Sequence, residues 1–252
     1  MLPRAIVIGK TNQWPGGKMK RIGLFCIILG TALAAAANAV DSALPDWSGS
    51  WSRAEGLQHP DPRVLLPYLT PGAAKIFADE IAKSSFRVPW SSCDPAAFPA
   101  MMTEIPLGFE WFFTPGRVTL VMSDDQVRRI YTDGRPHYTL KTGETTYFGD
   151  SIGHWEGDTL VVDTIGLNTD NQVVIGYDNN DQLHVVERIR KTDANTLADT
   201  LTITGFEGAI PGKPFVRTQL YKRSREPVRE YLCVASKNRD TGTTLDLTPP
   251  PP

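Results

Sequence analysis

Residues 149–164 read GDSIGHWEGDTLVVDT, and this stretch decides the fold. Runs of β-forming residues lie on both sides of the polar break Glu156-Gly157-Asp158. A glycine and an aspartate between two such runs are typical of a two-residue hairpin turn. With Gly157 and Asp158 as the turn residues, Glu156 pairs with Thr159, and the two strands run antiparallel from that pair.

The same β-type pattern recurs through the second half of the chain, in short runs separated by turn residues. The predicted strands are residues 117–122, 127–132, 151–155, 159–164, 183–190, 196–204, 215–223 and 230–234. Because most of these runs are joined as hairpins, seven or eight strands predict an all-β fold with an antiparallel meander. Closure into a barrel is the usual way to remove the exposed edges of such a sheet.

Two features near the ends of this pattern favour a lipocalin-like β-barrel over a sandwich. Residues 49–51 read Gly-Ser-Trp, the Gly-x-Trp arrangement that opens the first strand in lipocalins. Late in the chain, Lys222, Arg223 and Arg225 can supply a cation that stacks on Trp51, as lipocalin-type barrels often arrange.

The segment at residues 46–106 is loop-rich and contains one predicted helix. Thr70 is a favourable N-cap residue, and Pro71 occupies the first helical position, where proline is tolerated. Apolar residues then recur at helical spacing over residues 73–82. We expect this helix to pack against the barrel rather than to carry function.

The first 39 residues are typical of a signal peptide for export. Basic residues precede an apolar core at residues 22–33, and a small-residue cleavage site follows at residues 37–39. Met19 is an alternative start of translation. The mature protein is therefore predicted to be periplasmic or secreted, with no integral membrane segment after processing.

The rest of the chain is expected to form one barrel domain, residues 40–240, with a disordered Pro-rich tail at residues 241–252. The signal removes five basic residues and no acidic one, so the mature chain has 21 basic and 28 acidic residues and a formal charge of −7. An acidic surface repels phosphate backbones and anionic lipids. Nucleic acid is therefore excluded as an expected partner.

The mature chain keeps two cysteines, Cys93 and Cys233. In an oxidising compartment an even pair most simply forms one disulfide. Such a bond would close a loop of about 140 residues and stabilise the fold by roughly 2–4 kcal/mol. The rival interpretation is a catalytic thiol, which requires a nearby base that the sequence does not show.

From Cys93 to Cys233 the chain resembles a family of exported bacterial proteins that has no assigned activity. The Trp-Glu-Gly-Asp-Thr-Leu block at residues 155–160 is the most specific part of the resemblance. The matching stretches are residues 114–116, 129–135, 149–164, 187–188 and 230–233. The resemblance supports the boundaries of the domain and implies no reaction.

His154 is the first candidate for chemistry. In the predicted hairpin it lies opposite Val161 and shares a side of the sheet with its diagonal neighbours Thr159 and Asp163. A carboxylate beside an imidazole fixes the tautomer and raises the basicity, which suits a general base. His154 and Asp163 are therefore candidate catalytic residues, and the alternative is a structural histidine hydrogen-bonded within the wall.

Glu187 is the third candidate catalytic residue. It alternates with Val185 and Ile189, so a carboxylate lies on the apolar face of its strand. A carboxylate in that position must be paired, protonated or used. The sequence leaves two interpretations open: an internal salt bridge with Arg129 or Arg217, or an interior acid or base with a raised pKa.

Aromatic residues provide a candidate ligand site. Phe109, Trp111 and Phe113 alternate, which places three rings on one face of a strand. Such a stripe forms either part of the core or an apolar pocket for a ligand. The predicted ligand-binding residues are Phe109, Trp111, Phe113, Tyr131, Arg135, His137 and Trp155.

The turn at residues 133–137 contributes two of these residues. Arg135 either anchors a carboxylate of a substrate or pairs with Asp133. His137 either lines the mouth of the barrel or is simply exposed.

No metal or other cofactor is predicted. His137, His154 and His184 lie on separate segments, without the two-histidine spacing of a metal site on one element. The chain also has no Gly-x-Ser-x-Gly elbow, no phosphate-cradling glycine loop and no dinucleotide fingerprint.

These patterns lead to two functional hypotheses. The first is an exported lipocalin-like barrel that binds an apolar or aromatic small molecule, because closed barrels of about eight strands can hold one ligand. The alternative is a cofactor-free lyase, isomerase or hydratase that uses a histidine and carboxylate pair in the barrel. The sequence leaves open whether the protein is an enzyme.

Overall fold

The computed structural model describes eight parts of the chain: residues 46–54, 61–83, 98–104, 108–123, 126–138, 145–169, 172–174 and 176–229. All of them belong to the second of the two units into which the chain divides, Pro45–Pro252. The predicted export signal, the disulfide between Cys93 and Cys233, the strand at residues 230–234 and the tail at residues 241–252 lie outside the described residues.

Nine strands form a closed β-barrel. The described residues contain two further strands outside the barrel. In chain order all the strands are β1 (Ser50–Arg53), β2 (Phe109–Thr114), β3 (Arg117–Met122), β4 (Val127–Tyr131), β5 (Asp150–Glu156), β6 (Thr159–Ile165), β7 (Gln172–Val174), β8 (Tyr177–Asp178), β9 (His184–Asp193), β10 (Thr196–Thr204) and β11 (Phe215–Arg223). Their order around the barrel is β1-β11-β10-β9-β6-β5-β4-β3-β2, while β7 and β8 form a separate two-stranded sheet. The predicted β class and the closed barrel are confirmed.

The barrel departs from a pure meander at one place, where β4 and β5 run parallel. Parallel neighbours cannot be joined by a hairpin and require a longer crossover, and residues 132–149 lie between these two strands. The short strand β1 closes the ring, because it pairs with β11 on one side and with β2 on the other. The sheet is therefore mixed rather than entirely antiparallel.

The hairpin of β5 and β6 has the predicted register. Glu156 pairs with Thr159, Trp155 with Leu160, and so on along both strands. Gly157 has a φ angle of +63°, which is the left-handed value that the first central residue of a tight hairpin turn requires. Glycine adopts this value without the strain that a side chain would cause.

The described residues include three helices beside the strands: a 3-10 helix (Pro62–Tyr68), α1 (Pro71–Lys83) and α2 (Ala100–Glu104). Helix α1 is the predicted helix, and the carbonyl of Thr70 accepts its first hydrogen bond from the backbone of Ala74 at 2.8 Å. Its one fully buried side chain is Phe77. In the described part of the chain, none of the helices has the length and apolar character needed to cross a membrane.

Trp51 lies in β1 and is completely buried. The guanidinium carbon of Arg223 lies 4.6 Å from its ring centre, and the same guanidinium donates a hydrogen bond to the carbonyl of Ser48. The indole nitrogen of Trp51 donates to the carbonyl of Trp47 at 2.8 Å. The predicted stacking of a cation on this tryptophan is confirmed, with Arg223 as the cation.

Candidate functional sites on the two faces of the barrel wall

Three charged residues meet inside the barrel: Arg128 on β4, Glu187 on β9 and Asp199 on β10. We call them the buried charge cluster, because all three are completely buried. Arg128 binds Glu187 through two hydrogen bonds, Nη1 to Oε1 at 2.8 Å and Nη2 to Oε2 at 2.5 Å. This bidentate arrangement is the strongest geometry that a guanidinium and a carboxylate can adopt.

Neighbouring strands hold the Arg128 guanidinium in place. Its Nη2 donates to Oγ1 of Thr164 at 3.2 Å and lies 3.4 Å from Oγ of Ser151. The two hydroxyls are themselves 2.9 Å apart, since β5 and β6 pair Ser151 with Thr164. The ring of Phe98 covers the guanidinium, with its centre 3.9 Å from Cζ. The arginine is therefore oriented by three separate strands and one aromatic ring.

Asp199 is the least satisfied member of the cluster. Neither of its carboxyl oxygens accepts a hydrogen bond from a described residue, but a protonated Asp199 has the Glu187 side chain as its hydrogen-bond partner. Burial, and after it the negative charge of Glu187, raises the pKa of Asp199 well above its ordinary value of 3.8. The uncharged form of Asp199, which can donate a proton, is therefore favoured.

Glu187 lies on the apolar inner face of β9, as predicted, and it is paired. Its partner is Arg128, whereas the sequence suggested Arg129 or Arg217. On β4 the alternation turns Arg128 inward and leaves Arg129 exposed. Arg217 donates instead to the carbonyl of Thr103 at 2.9 Å. The catalytic role suggested for Glu187 stays a prediction.

Four rings form what we call the aromatic cluster: Trp47, Trp111, Phe113 and Trp155. The ring centre of Trp47 lies 5.1 Å from Trp111, 5.6 Å from Phe113 and 5.5 Å from Trp155, in edge-on contacts. Trp47 and Trp111 are buried, whereas Phe113 and Trp155 are only partly buried. The indole nitrogen of Trp111 has no hydrogen-bond partner among the described residues.

The aromatic cluster and the buried charge cluster are connected. Phe109 packs against Trp111 at 5.9 Å and against Tyr221 at 4.9 Å between ring centres. Tyr221 is a diagonal neighbour of Asp199 on the inner face of β10 and β11. Burial raises the pKa of Tyr221 above its ordinary value, and its hydroxyl donates to the carbonyl of Met102 at 2.6 Å. Apolar and polar side chains thus form one continuous layer on the inner face of the barrel wall, which we call the inner lining.

A second polar group lies on the outer face of the wall, and we call it the outer His–Asp network: His137, Asp150, Asp163 and His184. Nδ1 of His137 lies 2.8 Å from Oδ2 of Asp150, and its Nε2 lies 3.0 Å from Oδ1 of Asp163. Nε2 of His184 lies 2.9 Å from the same Asp163 oxygen. Asp150 is 5 % exposed and His137 20 %, whereas Asp163 and His184 are 42 % and 41 % exposed.

His154 and Asp163 do not pair with each other. Nε2 of His154 lies 3.2 Å from Oε1 of Glu156, the next residue but one on the same face of β5. Asp163 pairs across the other edge of β6 with Val186 of β9, so His184 lies within reach from that side. His184 lies on the outer face of β9, and its contact with Asp163 was not predicted.

Arg135 pairs with Asp133, which is one of the two alternatives that the sequence left open for it. Its Nη2 lies 2.6 Å from Oδ2 of Asp133, and its guanidinium carbon lies 3.9 Å from the ring centre of Tyr131. His137 is not a freely exposed turn residue, because both of its ring nitrogens contact carboxylates. The ligand-binding roles suggested for these residues stay predictions.

Asp199 and Trp47 were not among the predicted site residues, although the sequence held a signal for Asp199. Asp199 alternates with Leu197, Leu201 and Ile203, which is the same argument that singled out Glu187. Trp47 lies before the first strand and gave no periodic signal at all. Its position in the aromatic cluster depends on contacts that only the closed barrel creates.

Comparison with known proteins gives no family for this chain. No protein-family model matches it, and no curated protein matches it at a significant level. The barrel fold is therefore established without a family, and the resemblance to exported bacterial proteins stays a prediction.

Proposed function

We propose that the mature protein is an exported, lipocalin-like barrel that binds a small aromatic molecule at its inner lining. The observation that carries the proposal is the graded burial of the aromatic cluster. Its rings run from buried Trp47 and Trp111 to the partly exposed Phe113 and Trp155. Ligand sites in proteins are typically lined by apolar and aromatic side chains with few polar groups.

The polar groups beside these rings indicate what such a ligand carries. The indole nitrogen of Trp111 is a donor without a described partner. A buried donor without a partner costs roughly 1–3 kcal/mol. An aromatic molecule with a hydrogen-bond acceptor, such as a carbonyl or ether oxygen, would relieve that cost.

The test is a titration of the purified protein with N-phenyl-1-naphthylamine, followed by probe fluorescence and by quenching of tryptophan emission. Phe113→Ala should weaken saturable binding, since the ring belongs to the aromatic cluster. Phe112→Ala is the matched control, because Phe112 lies next to it on β2 and is 48 % exposed. Equal affinities of the two variants, or no saturable binding to the wild type, would contradict the proposal.

A second function is supported by one specific observation, the complete burial of the Asp199 carboxyl group together with that of Glu187, which raises the pKa of Asp199. A carboxyl that keeps its proton next to a paired carboxylate suits a cofactor-free isomerase, lyase or hydratase. In this enzyme two carboxyl groups would take the place of the histidine and carboxylate pair expected from the sequence. His154 and His184 face outward, and the inner pair consists of two carboxyl groups.

This alternative has a separate test. Incorporation of solvent deuterium into a panel of β,γ-unsaturated cyclic ketones, followed by NMR, reports proton transfer directly. Asp199→Asn should abolish the exchange while naphthylamine binding continues. If exchange is absent in the wild type or unchanged in Asp199→Asn, the enzyme hypothesis is contradicted and only the ligand-binding hypothesis is left.

A further inference from the structure

We propose that the outer His–Asp network binds a divalent transition-metal ion through Nε2 of His137, Nε2 of His184 and a carboxylate oxygen of Asp163. Both imidazole nitrogens converge on Oδ1 of Asp163, at 3.0 and 2.9 Å. Donor atoms bound to one such ion lie roughly 3.0–3.4 Å apart, given metal–ligand bonds of about 2.1 Å. The three donors therefore already have nearly the separations that coordination requires along two of three edges.

The donor types select the ion. Neutral imidazole nitrogen with one carboxylate oxygen suits zinc and its first-row neighbours, whereas calcium and magnesium prefer oxygen ligands alone. Three ligands supplied by the protein leave one coordination position open, as in catalytic rather than structural zinc sites. The network comes from three separate parts of the chain, since Asp163 belongs to β6, His184 to β9 and His137 to the segment after β4.

Asp150 provides the supporting contact that a metal-binding histidine usually has. Its Oδ2 accepts a hydrogen bond from the backbone of Tyr138 at 2.9 Å and lies 2.8 Å from Nδ1 of His137. An ionised carboxylate only accepts, so Nδ1 directs its proton towards Asp150. Carboxylates in this position fix the tautomer of metal-bound histidines and leave Nε2 free to coordinate.

A cation fits the position between these donors. An ion between Nε2 of His137 and Oδ1 of Asp163 would accept a lone pair from each atom, and it would accept that of Nε2 of His184 as well. Among the described residues neither Asp150 nor Asp163 pairs with a lysine or an arginine, so two positive charges would balance the two carboxylates.

Binding requires a local rearrangement. As they stand, the described histidines, cysteines and acids include no group of three arranged around an ion. Oδ1 of Asp163 now contacts both imidazole nitrogens, so this carboxylate has to turn for an ion to enter. Asp163 and His184 are 42 % and 41 % exposed, so both side chains can turn without disturbing the core. His137 stays fixed by Asp150, which is 5 % exposed.

The test is zinc binding to the full chain after treatment with EDTA, measured by isothermal titration calorimetry, with the absorption spectrum of the cobalt form as a second readout. We expect one ion per chain. His184→Ala and Asp163→Asn should weaken binding more than about 100-fold, and Asp150→Asn, which removes the supporting contact, about 10–100-fold. His154→Ala is the matched control, because His154 lies on the same outer face beside a single carboxylate, that of Glu156.

The comparison of the two histidines decides the outcome. Zinc should raise the Tm of the wild type and of His154→Ala, and it should leave the Tm of His184→Ala unchanged. Circular dichroism of His184→Ala confirms that the barrel is intact before zinc is added. Absence of zinc binding in the wild type, unchanged affinity in His184→Ala, or equal losses in His184→Ala and His154→Ala would each overturn the proposal.

Discussion

The outer His–Asp network and the two hydroxyls that hold Arg128 of the buried charge cluster come from adjacent residues on the two faces of one wall. On β5, Asp150 faces outward and Ser151 inward, and on β6 the same holds for Asp163 and Thr164. On β6 a step of one residue therefore leads from the partly exposed Asp163 to the completely buried Thr164. The comparison shows that two polar residues next to each other on one strand can serve different groups on opposite faces of the wall.

The two groups differ in what their carboxylates gain from their partners. Inside the barrel, desolvation is severe, so the ion pair of Arg128 and Glu187 matters mainly through the cost of losing one partner. On the outside, water screens the contacts of Asp163 with both histidines, and each contributes little to stability. Substitutions in the inner cluster should therefore affect folding, whereas those in the outer network should affect function.

The largest effect is expected for Arg128→Met. The substitution leaves Glu187 buried without its bidentate partner, and it removes the positive charge nearest to Asp199. Loss of one partner of a buried pair typically costs about 3–5 kcal/mol, so the free energy of unfolding should fall by about that amount. Urea unfolding measures it.

Arg129→Met is the matched control, because Arg129 is the next residue on β4 and is exposed. We expect it to change stability by less than about 0.5 kcal/mol. Similar losses in the two variants would mean that the inner and outer faces of β4 are not energetically distinct.

The pH dependence of the stability of Asp199→Asn tests the buried charge cluster. Below about pH 4 both the folded and the unfolded wild type carry a proton on this carboxyl, so the variant should have no advantage there. As the pH rises above the ordinary value of 3.8, the unfolded carboxyl ionises while burial keeps the folded one protonated. This difference destabilises the folded wild type, and asparagine does not ionise. The variant should therefore become progressively more stable than the wild type as the pH rises.

Asp133→Asn is the control, because its effect on stability should have the opposite sign. A hydrogen bond from the Arg135 side chain lowers the pKa of Asp133, so its carboxylate stabilises the folded state above that pKa. Substitution should reduce stability at neutral pH, and the loss should disappear in acid. A pH-independent difference for Asp199→Asn would show that its carboxyl is not buried as the structure has it.

Much of the inner face could be predicted from the sequence, because it depends on local alternation. The register of the β5–β6 hairpin followed from Gly157 and Asp158, and the inward position of Glu187 followed from its apolar neighbours. The choice of Arg128 over Arg129 could not be predicted, because two adjacent cations exchange faces if the strand shifts by one residue. The parallel pairing of β4 with β5 gave no local signal either.

The outer network was harder to predict than the inner cluster. Asp163 was expected to pair with His154 in the barrel, whereas it contacts His137 and His184 on the outer face. Alternation gives the face of a residue and not its neighbour on the next strand. His184 reaches Asp163 only because β9 pairs with β6 across the long excursion that contains β7 and β8. His137 comes from a segment outside the strands, where no periodicity applies.

Arg223→Gln should have an intermediate effect. Its guanidinium stacks on the buried ring of Trp51 and donates to the carbonyl of Ser48, so substitution removes a cation–π contact and a hydrogen bond. We expect a loss of about 1–2 kcal/mol, measured by urea unfolding. Lys222→Gln is the control, because Lys222 is exposed on the other face of β11. A larger loss in Lys222→Gln would contradict the role of Arg223 in closing the barrel at β1.

The smallest effect on stability is expected for His184→Ala in the absence of metal. Its contact with Asp163 is 41 % exposed on the histidine side and 42 % on the acid side, so water screens it. Exposed ion pairs contribute about 0.2–1 kcal/mol, and the free energy of unfolding should fall by no more than that. Asp163→Asn should fall within the same range, since its two imidazole contacts lie on the same outer face. A loss as large as that of Arg128→Met would mean that the outer network supports the fold itself, and the contrast between the two faces of the wall would then be wrong.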